Sequence, residues 1–371
     1  MFRVFGPAAA SFSVCLLAIF ALRPIAIAVD LIDRPGGRKT HHGDVPIVGG
    51  LAMFLGIVFG VSILPIPGAP GAPFLAACTI LVTIGLFDDR FDLSPFTRLP
   101  AQIAAAIVLL VGTGTVIKSI GDPFGIGEIY LATLTAPIFT VMIIVAAINA
   151  FNMLDGMDGL AGTMALNALL ALSVLSWMGG LETASTLCLV IAASVCAFLL
   201  FNLPSARNRR MRCFMGDAGS TLLGLSVAWL CIFVSQAAPE GAGLNVSPVT
   251  TLWAVAVPLY ELFWTTLRRL FRGVSPFKAD RDHFHHLLLK AGFGVRAAFG
   301  IFVALAGVLA TIGVIANSIE LADSYSFLLL VGCGVAVVCL MYRADVLWKL
   351  MPASWRRRSV VEPPRPSVDS P

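Results

Sequence analysis

Eleven apolar stretches constrain this chain more than any motif in it. They run near 11–29, 48–66, 72–87, 99–117, 133–151, 160–178, 184–203, 218–238, 249–267, 297–317 and 325–342. A helix needs about 20 apolar residues to cross a bilayer, where it satisfies its own backbone hydrogen bonds. The expected fold is therefore an all-α polytopic membrane protein with about eleven transmembrane helices. The third stretch is short, and Arg23-Pro24 interrupts the first. Only 12% of the residues are charged and 58% are hydrophobic, against about 25% charged in an ordinary soluble domain. The loops leave no room for a separate soluble catalytic domain. The chain reads as one membrane-embedded unit over 1–343, followed by a Pro- and Arg-rich tail over 344–371 of disordered composition.

Arg3 precedes an apolar run, and Ala26-Ile-Ala28 has the look of a leader cleavage site. Cleavage would remove a helix that leads directly into a charged loop, so the stretch is read as a retained span. Seven of the eight cysteines fall within the apolar stretches, with no disulfide framework and no metal-ligand spacing. Lys and Arg set orientation. Of the 25, 22 lie in 32–47, 88–98, 204–217, 268–296 and 343–371, all on one side of an eleven-span topology. That side is expected to be cytoplasmic, with the N-terminus outside and the C-terminus inside. Arg3, Arg23 and Lys118 fall on the other side or within the first span.

The same topology gathers all five histidines and ten aspartates at the basic interface. A transporter places its ionisable residues near mid-membrane. Crowding at one interface instead suits a soluble, charged substrate meeting a lipid partner. Nothing in the pattern points to nucleic acid. The opposite segment 118–132, punctuated by Gly121, Pro123, Gly125 and Gly127, reads as a small hairpin.

Asn149-Ala-Phe-Asn-Met-Leu-Asp-Gly-Met-Asp-Gly-Leu-Ala-Gly162 follows an uncharged run. Asn149, Asn152, Asp155 and Asp158 recur every third residue, a spacing that keeps neighbours near one helix face. Two carboxylates and two amides suit a hard cation such as Mg²⁺, with phosphates or waters completing its shell. Gly156, Gly159 and Gly162 suit a broken or closely approached turn. The plainer reading is a capped helix end.

Other groups converge on the same side. In 32–47, Arg38 and Lys39 could hold phosphate beside His41 and His42, although positive-inside charge alone accounts for many such loops. Asp88 and Asp89 are adjacent carboxylates, which repel and call for a cation or a proton. Arg98 is placed to return toward them. Phe214-Met-Gly-Asp217-Ala-Gly-Ser220 opens a span after Arg207, Arg209, Arg210 and Arg212, with Asp217 as helix cap or metal ligand. The longest inner loop ends in Asp280-Arg281-Asp282-His283-Phe-His285-His286. Without a cysteine nearby, these histidines suit sugar-phosphate contacts better than zinc. Glu261, an acid within an apolar stretch, is a functional candidate with no assignable role.

Taken in order, Asp88-Asp89, Asn149-x-x-Asn152-x-x-Asp155-Gly-x-Asp158-Gly, Phe214-Met-Gly-Asp217-x-Gly-Ser and His283-x-His285-His286 resemble the polyprenyl-phosphate N-acetylhexosamine-1-phosphate transferases. The resemblance spans about 30–292. Ser-Pro-Phe-Lys-Ala-Asp-Arg-Asp-His-Phe-His-His is more similar to the WecA-type branch, which uses UDP-GlcNAc, than to the branch that transfers phospho-MurNAc-pentapeptide.

The resemblance implies transfer of GlcNAc-1-phosphate from UDP-GlcNAc to undecaprenyl phosphate, giving undecaprenyl diphosphate-GlcNAc and UMP. That step would start a lipid-linked surface polysaccharide at the bacterial inner membrane, with Mg²⁺ or Mn²⁺ as the metal and a homodimer as the suggested assembly. It further implies Asn152 and Asp217 as metal ligands, and Asp88 or Asp89 as the group that activates the lipid phosphate. Asp155 would shape the metal site, while Lys39 and Arg98 would hold phosphates. Asp158 and Phe214 would meet uracil, and Arg269, His283, His285 and His286 the sugar and its diphosphate. The alternatives are the same reaction with another UDP-N-acetylhexosamine or with the phospho-MurNAc-pentapeptide donor, and a polytopic transporter.

Overall fold

The computed structural model of the protein describes residues 2–34, 44–64, 71–204, 211–238, 241–273 and 283–350. Its elements are α1 (Phe2–Ala28), β1 (Ile32–Asp33), β2 (Val45–Pro46), α2 (Gly49–Ser62), α3 (Gly71–Phe91), α4 (Pro95–Thr113) and α5 (Thr135–Leu154). They continue with α6 (Leu160–Met178), α7 (Glu182–Asn202), α8 (Gly216–Gln236), α9 (Pro248–Ala254), α10 (Ala256–Phe271), α11 (Phe284–Lys290), α12 (Val295–Ser318), α13 (Asp323–Tyr342) and α14 (Ala344–Leu350). β1 and β2 pair antiparallel, Ile32 opposite Pro46 and Asp33 opposite Val45.

Each of the eleven apolar stretches holds helix, but they are not eleven equal spans. Among the described residues nine helices are long and apolar enough to cross a membrane: α1, α3 to α8, α12 and α13. Two stretches depart from the expectation. α2 has only 14 residues, and the prolines at 65 and 67 that follow it in sequence disfavour helix. The stretch 249–267 is split at Val255 into α9 and α10. Pro258 has no N–H to offer the carbonyl of Ala254, and its ring crowds that carbonyl, so the ladder breaks there.

The two irregular stretches turn out longer than expected. α3 runs for 21 residues, past Asp88-Asp89-Arg90. α1 continues through Arg23-Pro24, and Arg23 Nη1 reaches the carbonyl of Arg212 at 2.7 Å. Arg23 therefore belongs with the basic end: a long side chain carries its charge out of the apolar zone. The tail expected to lack structure begins with α14, whose Trp348 ring meets Phe293 edge-on at 5.0 Å.

α8 runs through the middle of the bundle and is buried along most of its length. Small residues let neighbouring helices approach its backbone, the usual device where apolar burial cannot drive helix association. A Cβ on Gly85 of α3 would collide with the backbone of Ala218, and one on Gly224 would lie 2.6 Å from Ile148 Cα of α5. At the end opposite the basic loops the expected hairpin is present. Ser119 bridges Tyr130 antiparallel, and Gln236 Oε1 accepts from the N–H groups of Lys118 and Ser119. At the basic end, Ile47 bridges Phe214, and the N–H groups of Gly49 and Gly50 donate to the carbonyls of Phe214 and Met215. These bonds fix the start of α8 against α2.

Candidate active site

The first turn of α8 has no side-chain cap of its own. Its free N–H groups are met from α3: Asp89 accepts from the N–H of Asp217 at 2.7 Å and of Ala218 at 3.3 Å. Gly216, at φ 68°, makes the turn into the helix, and any Cβ there would strike the Asp89 carboxylate. A helix N-terminus is a favourable place for a carboxylate.

Asp88 points elsewhere. Its Oδ2 pairs with Arg98 Nη1 at 2.5 Å, and its Oδ1 accepts from Leu93 N–H at 2.8 Å. The repulsion expected between the adjacent aspartates is thus met by separate partners. The two side chains diverge, one to Arg98 and one to α8. Arg98, held at the start of α4 by the Ser94 cap, also reaches Asp217 Oδ1 at 3.3 Å.

Asn152, in the last turn of α5, closes the group. Its Nδ2 donates to Asp217 Oδ1 and, at 3.0 Å, to Ser220 Oγ. Asp155 caps the end of α5, and burial together with the charges of Asp217 and Asp89 pushes its carboxyl well above the usual range. Four carboxylates and Arg98 therefore converge from α3, α4, α5 and α8. Turning the Asn152 amide would bring its oxygen beside Asp217, giving an oxygen set that suits Mg²⁺ or Mn²⁺. Among the described residues no three His, Cys, Asp or Glu side chains form a metal-holding group by themselves. A Mg²⁺ bound by one or two carboxylates and by substrate phosphates does not require one.

Asn149 does not join them. It donates to Gln102 Oε1 and to the Val145 carbonyl, tying α5 to α4. Asp158, in the turn after α5, pairs with Arg212, whose guanidinium lies 5.1 Å from the centre of the Phe214 ring. Burial holds Arg212 below the ordinary arginine range. Asn202, at the end of α7, accepts from Gly159 N–H and donates to the Cys213 carbonyl, so one amide locates both segments.

The histidines form a cluster. The rings of His283 and His285 lie parallel, 5.8 Å apart, and His286 lies 4.1 Å from His285. His285 packs on Gly156, where a Cβ would stand 2.8 Å from its ring. Burial, then the neighbouring histidines, lowers its pKa to about 3, so it is neutral at ordinary pH. Arg269 is buried near the end of α10. Lys39, Arg38, His41, His42, Arg207, Arg209, Arg210, Asp280, Arg281 and Asp282 lie outside the described residues.

Sequence reasoning missed Gln102 and Asn202, and the use made of Ser220, Arg212 and Glu261. Gln102 is a polar residue on a helix packed beside the acidic motifs, and that proximity was the only available signal; Ser220 stood in the Asp217 motif with no role given. Asn202 ends an apolar run, where an amide has few other reasons to be.

Residues 72–235 match the model of glycosyl transferase family 4. Three curated relatives are each called undecaprenyl-phosphate alpha-N-acetylglucosaminyl 1-phosphate transferase. That of Escherichia coli O157:H7 is 38% identical over 280 residues, covering 76% of this chain and 75% of its own. That of Yersinia pestis is 36% identical, covering 75% and 74%, and that of Haemophilus influenzae 33% identical, covering 76% and 78%. The family match takes in α3 to α8 and the acidic cluster they carry, and the chain belongs to the polyprenyl-phosphate N-acetylhexosamine-1-phosphate transferases of glycosyl transferase family 4.

Proposed function

We propose that the protein transfers N-acetylglucosamine 1-phosphate from UDP-N-acetylglucosamine to undecaprenyl phosphate at the cytoplasmic face of a bacterial inner membrane. An oxygen of the lipid phosphate attacks the phosphorus that carries the sugar. A new P–O–P bond forms, the bond to the bridging oxygen of the donor breaks, and UMP leaves with that oxygen. The names of the relatives support the substrates. The observation that carries the chemistry is the meeting of Arg98 and Asn152 at Asp217, beside Asp88, Asp89 and Asp155.

Phosphoryl transfer depends on positioning and charge neutralisation more than on covalent help from the protein. Asn152 and Asp217 would hold Mg²⁺, which when bound screens the negative charge that builds up between the phosphates. Arg98, turned toward Asp217 by Asp88, supplies a fixed guanidinium for a phosphate oxygen. Asp89 holds the α8 terminus in register with that group. A lipid phosphate has its second pKa near 6 and is largely dianionic at neutral pH, so it needs little help from a base. Phe214 and Asp158 would receive the uracil, with Arg212 already lying over the ring. Arg269 and the three histidines would meet the sugar and its diphosphate, and Lys39 would add a phosphate contact.

The test is UMP release by the purified protein in detergent. Release should require undecaprenyl phosphate, UDP-GlcNAc and a divalent cation, stop with EDTA, and return with Mg²⁺ or Mn²⁺. Asp217→Asn should abolish it. Release with a different UDP-N-acetylhexosamine alone would change the donor. Silence with every donor, in folded protein, would overturn the assignment.

A further inference from the structure

Glu261 lies on α10, 1% exposed, and takes no part in the acidic cluster. Three groups converge on its carboxylate. His283 Nδ1 stands 2.7 Å from Oε1, Phe284 N–H donates to Oε2 at 3.0 Å, and Thr265 Oγ1 donates to Oε1 at 3.3 Å. An ionised carboxylate only accepts, so the hydrogen bond requires the proton of His283 on Nδ1. The arrangement resembles the pairing of carboxylate and imidazole that fixes ring orientation and tautomer at many functional histidines.

The consequences extend along the turn. Phe284 begins α11, so Glu261 fixes both the ring before the helix and the first N–H of the helix. His285, in the first turn, lies parallel to His283 and presses on Gly156, next to Asp155. Its Nε2 is buried and has no hydrogen-bond partner among the described residues. An imidazole nitrogen in that condition is normally met by a ligand or a water.

We infer that Glu261 is a positioning residue for the donor. From α10 it sets the proton of His283 and the placement of the His283–His286 turn, and so the place where His285 meets the sugar-phosphate end of UDP-GlcNAc beside the Gly156 turn. The inference rests on the transferase reading above. Glu261 touches no reacting atom; it acts through the histidines. Glutamine cannot replace it, because an amide offers one acceptor oxygen and turns N–H groups toward donors.

The experiment compares wild type with Glu261→Gln, His283→Asn, their double variant and Thr265→Val, all as full chains in detergent. Asparagine at 283 removes the imidazole through which Glu261 acts. Glu261→Gln should raise KM for UDP-GlcNAc about 10- to 100-fold, with KM for undecaprenyl phosphate unchanged within about twofold. His283→Asn should do the same, and the double variant should be no worse than the poorer single one by more than about twofold. Thr265→Val should show a smaller shift of the same kind. ¹⁵N-histidine NMR, assigned with His283→Asn, should show Nδ1 of His283 protonated in wild type and that state lost in Glu261→Gln.

Effects that multiply in the double variant, or equal KM changes for both substrates, would overturn the proposal. So would an unprotonated Nδ1 in wild type. If Glu261→Gln does not fold, the wild-type spectrum, His283→Asn and Thr265→Val still decide. Absence of UMP release by wild type defeats the transferase reading alone, since the spectrum reports the Glu261–His283 pair without turnover.

Discussion

Asp89 and Asp217 are joined through the backbone rather than through their charges: the carboxylate of Asp89 accepts the N–H of Asp217 at 2.7 Å, across 128 positions of sequence. The side chain of Asp217 is thereby left to Asn152 and Arg98. One aspartate sets the attitude of the helix, and the other presents its oxygens to the site.

Asp89→Asn should therefore damage stability and activity together. Asparagine brings one acceptor and a pair of N–H groups to a position where two N–H groups converge. Loss of a cap of this kind costs about 1–2 kcal/mol, readable as a lower thermal midpoint in detergent. UMP release should fall about 100-fold, the cost of a misplaced site. A variant with normal activity would show that the α8 terminus needs no capping carboxylate.

Arg98 and Asp88 should separate stability from function. Asp88 is 4% exposed, so Arg98→Met strands a buried carboxylate, at a cost of about 3 kcal/mol. Asp88→Leu combined with Arg98→Met should recover most of that stability and none of the activity. Recovery of UMP release in the double variant would remove Arg98 from phosphate binding.

His285 carries a pH signature. Its pKa in the fold is pushed to about 3 from the 6.5 of a free histidine, so below 6.5 the unfolded chain binds a proton that the folded chain refuses. Stability from this group is present above pH 6.5 and is lost as the pH falls toward 3, by at most about 1.4 kcal/mol per pH unit. Denaturation between pH 7 and 4.5 should show this slope in wild type and a shallower one in His285→Gln. Equal slopes would mean that His285 is protonated in the fold.

Gly156→Ala should act on the donor. Its Cβ would stand 2.8 Å from the His285 ring, and overpacking of this kind costs about 1–3 kcal/mol unless the ring moves. KM for UDP-GlcNAc should rise. Adding His285→Ala should restore the thermal midpoint while leaving KM high.

The helices were legible because hydropathy reports burial in lipid directly. What it could not report was local geometry. Pro24 was read as an interruption and the helix runs through it, whereas Pro258, deeper in an equally apolar stretch, breaks its helix at Val255. The acidic motifs announced the site, since adjacent or regularly spaced aspartates at a membrane interface have few structural uses. Their partners were hidden, because Asp89 needs backbone groups that carry no sequence signal. Asn149 and Asn152 looked equivalent by spacing, yet packing turns one to Gln102 and the other to Asp217. Glu261 was conspicuous as an acid among apolar residues, but the partners that tie it to the histidines lie 22 and 23 positions on, beyond the reach of any helical period.

The capping of α8 from α3 also orders the biogenesis of the protein. Chains are made from the N-terminus, so α3 and its Asp89 are in place before α8 is synthesised. The polar start of α8 can then meet its acceptor as it docks. α10 and α11 come later still, so the histidines are added to a chain that already carries every member of the acidic cluster. A nascent chain that stalls after α8 would carry the carboxylates and Arg98 without the histidine turn, and at no stage of synthesis does the last-made half of the site exist alone.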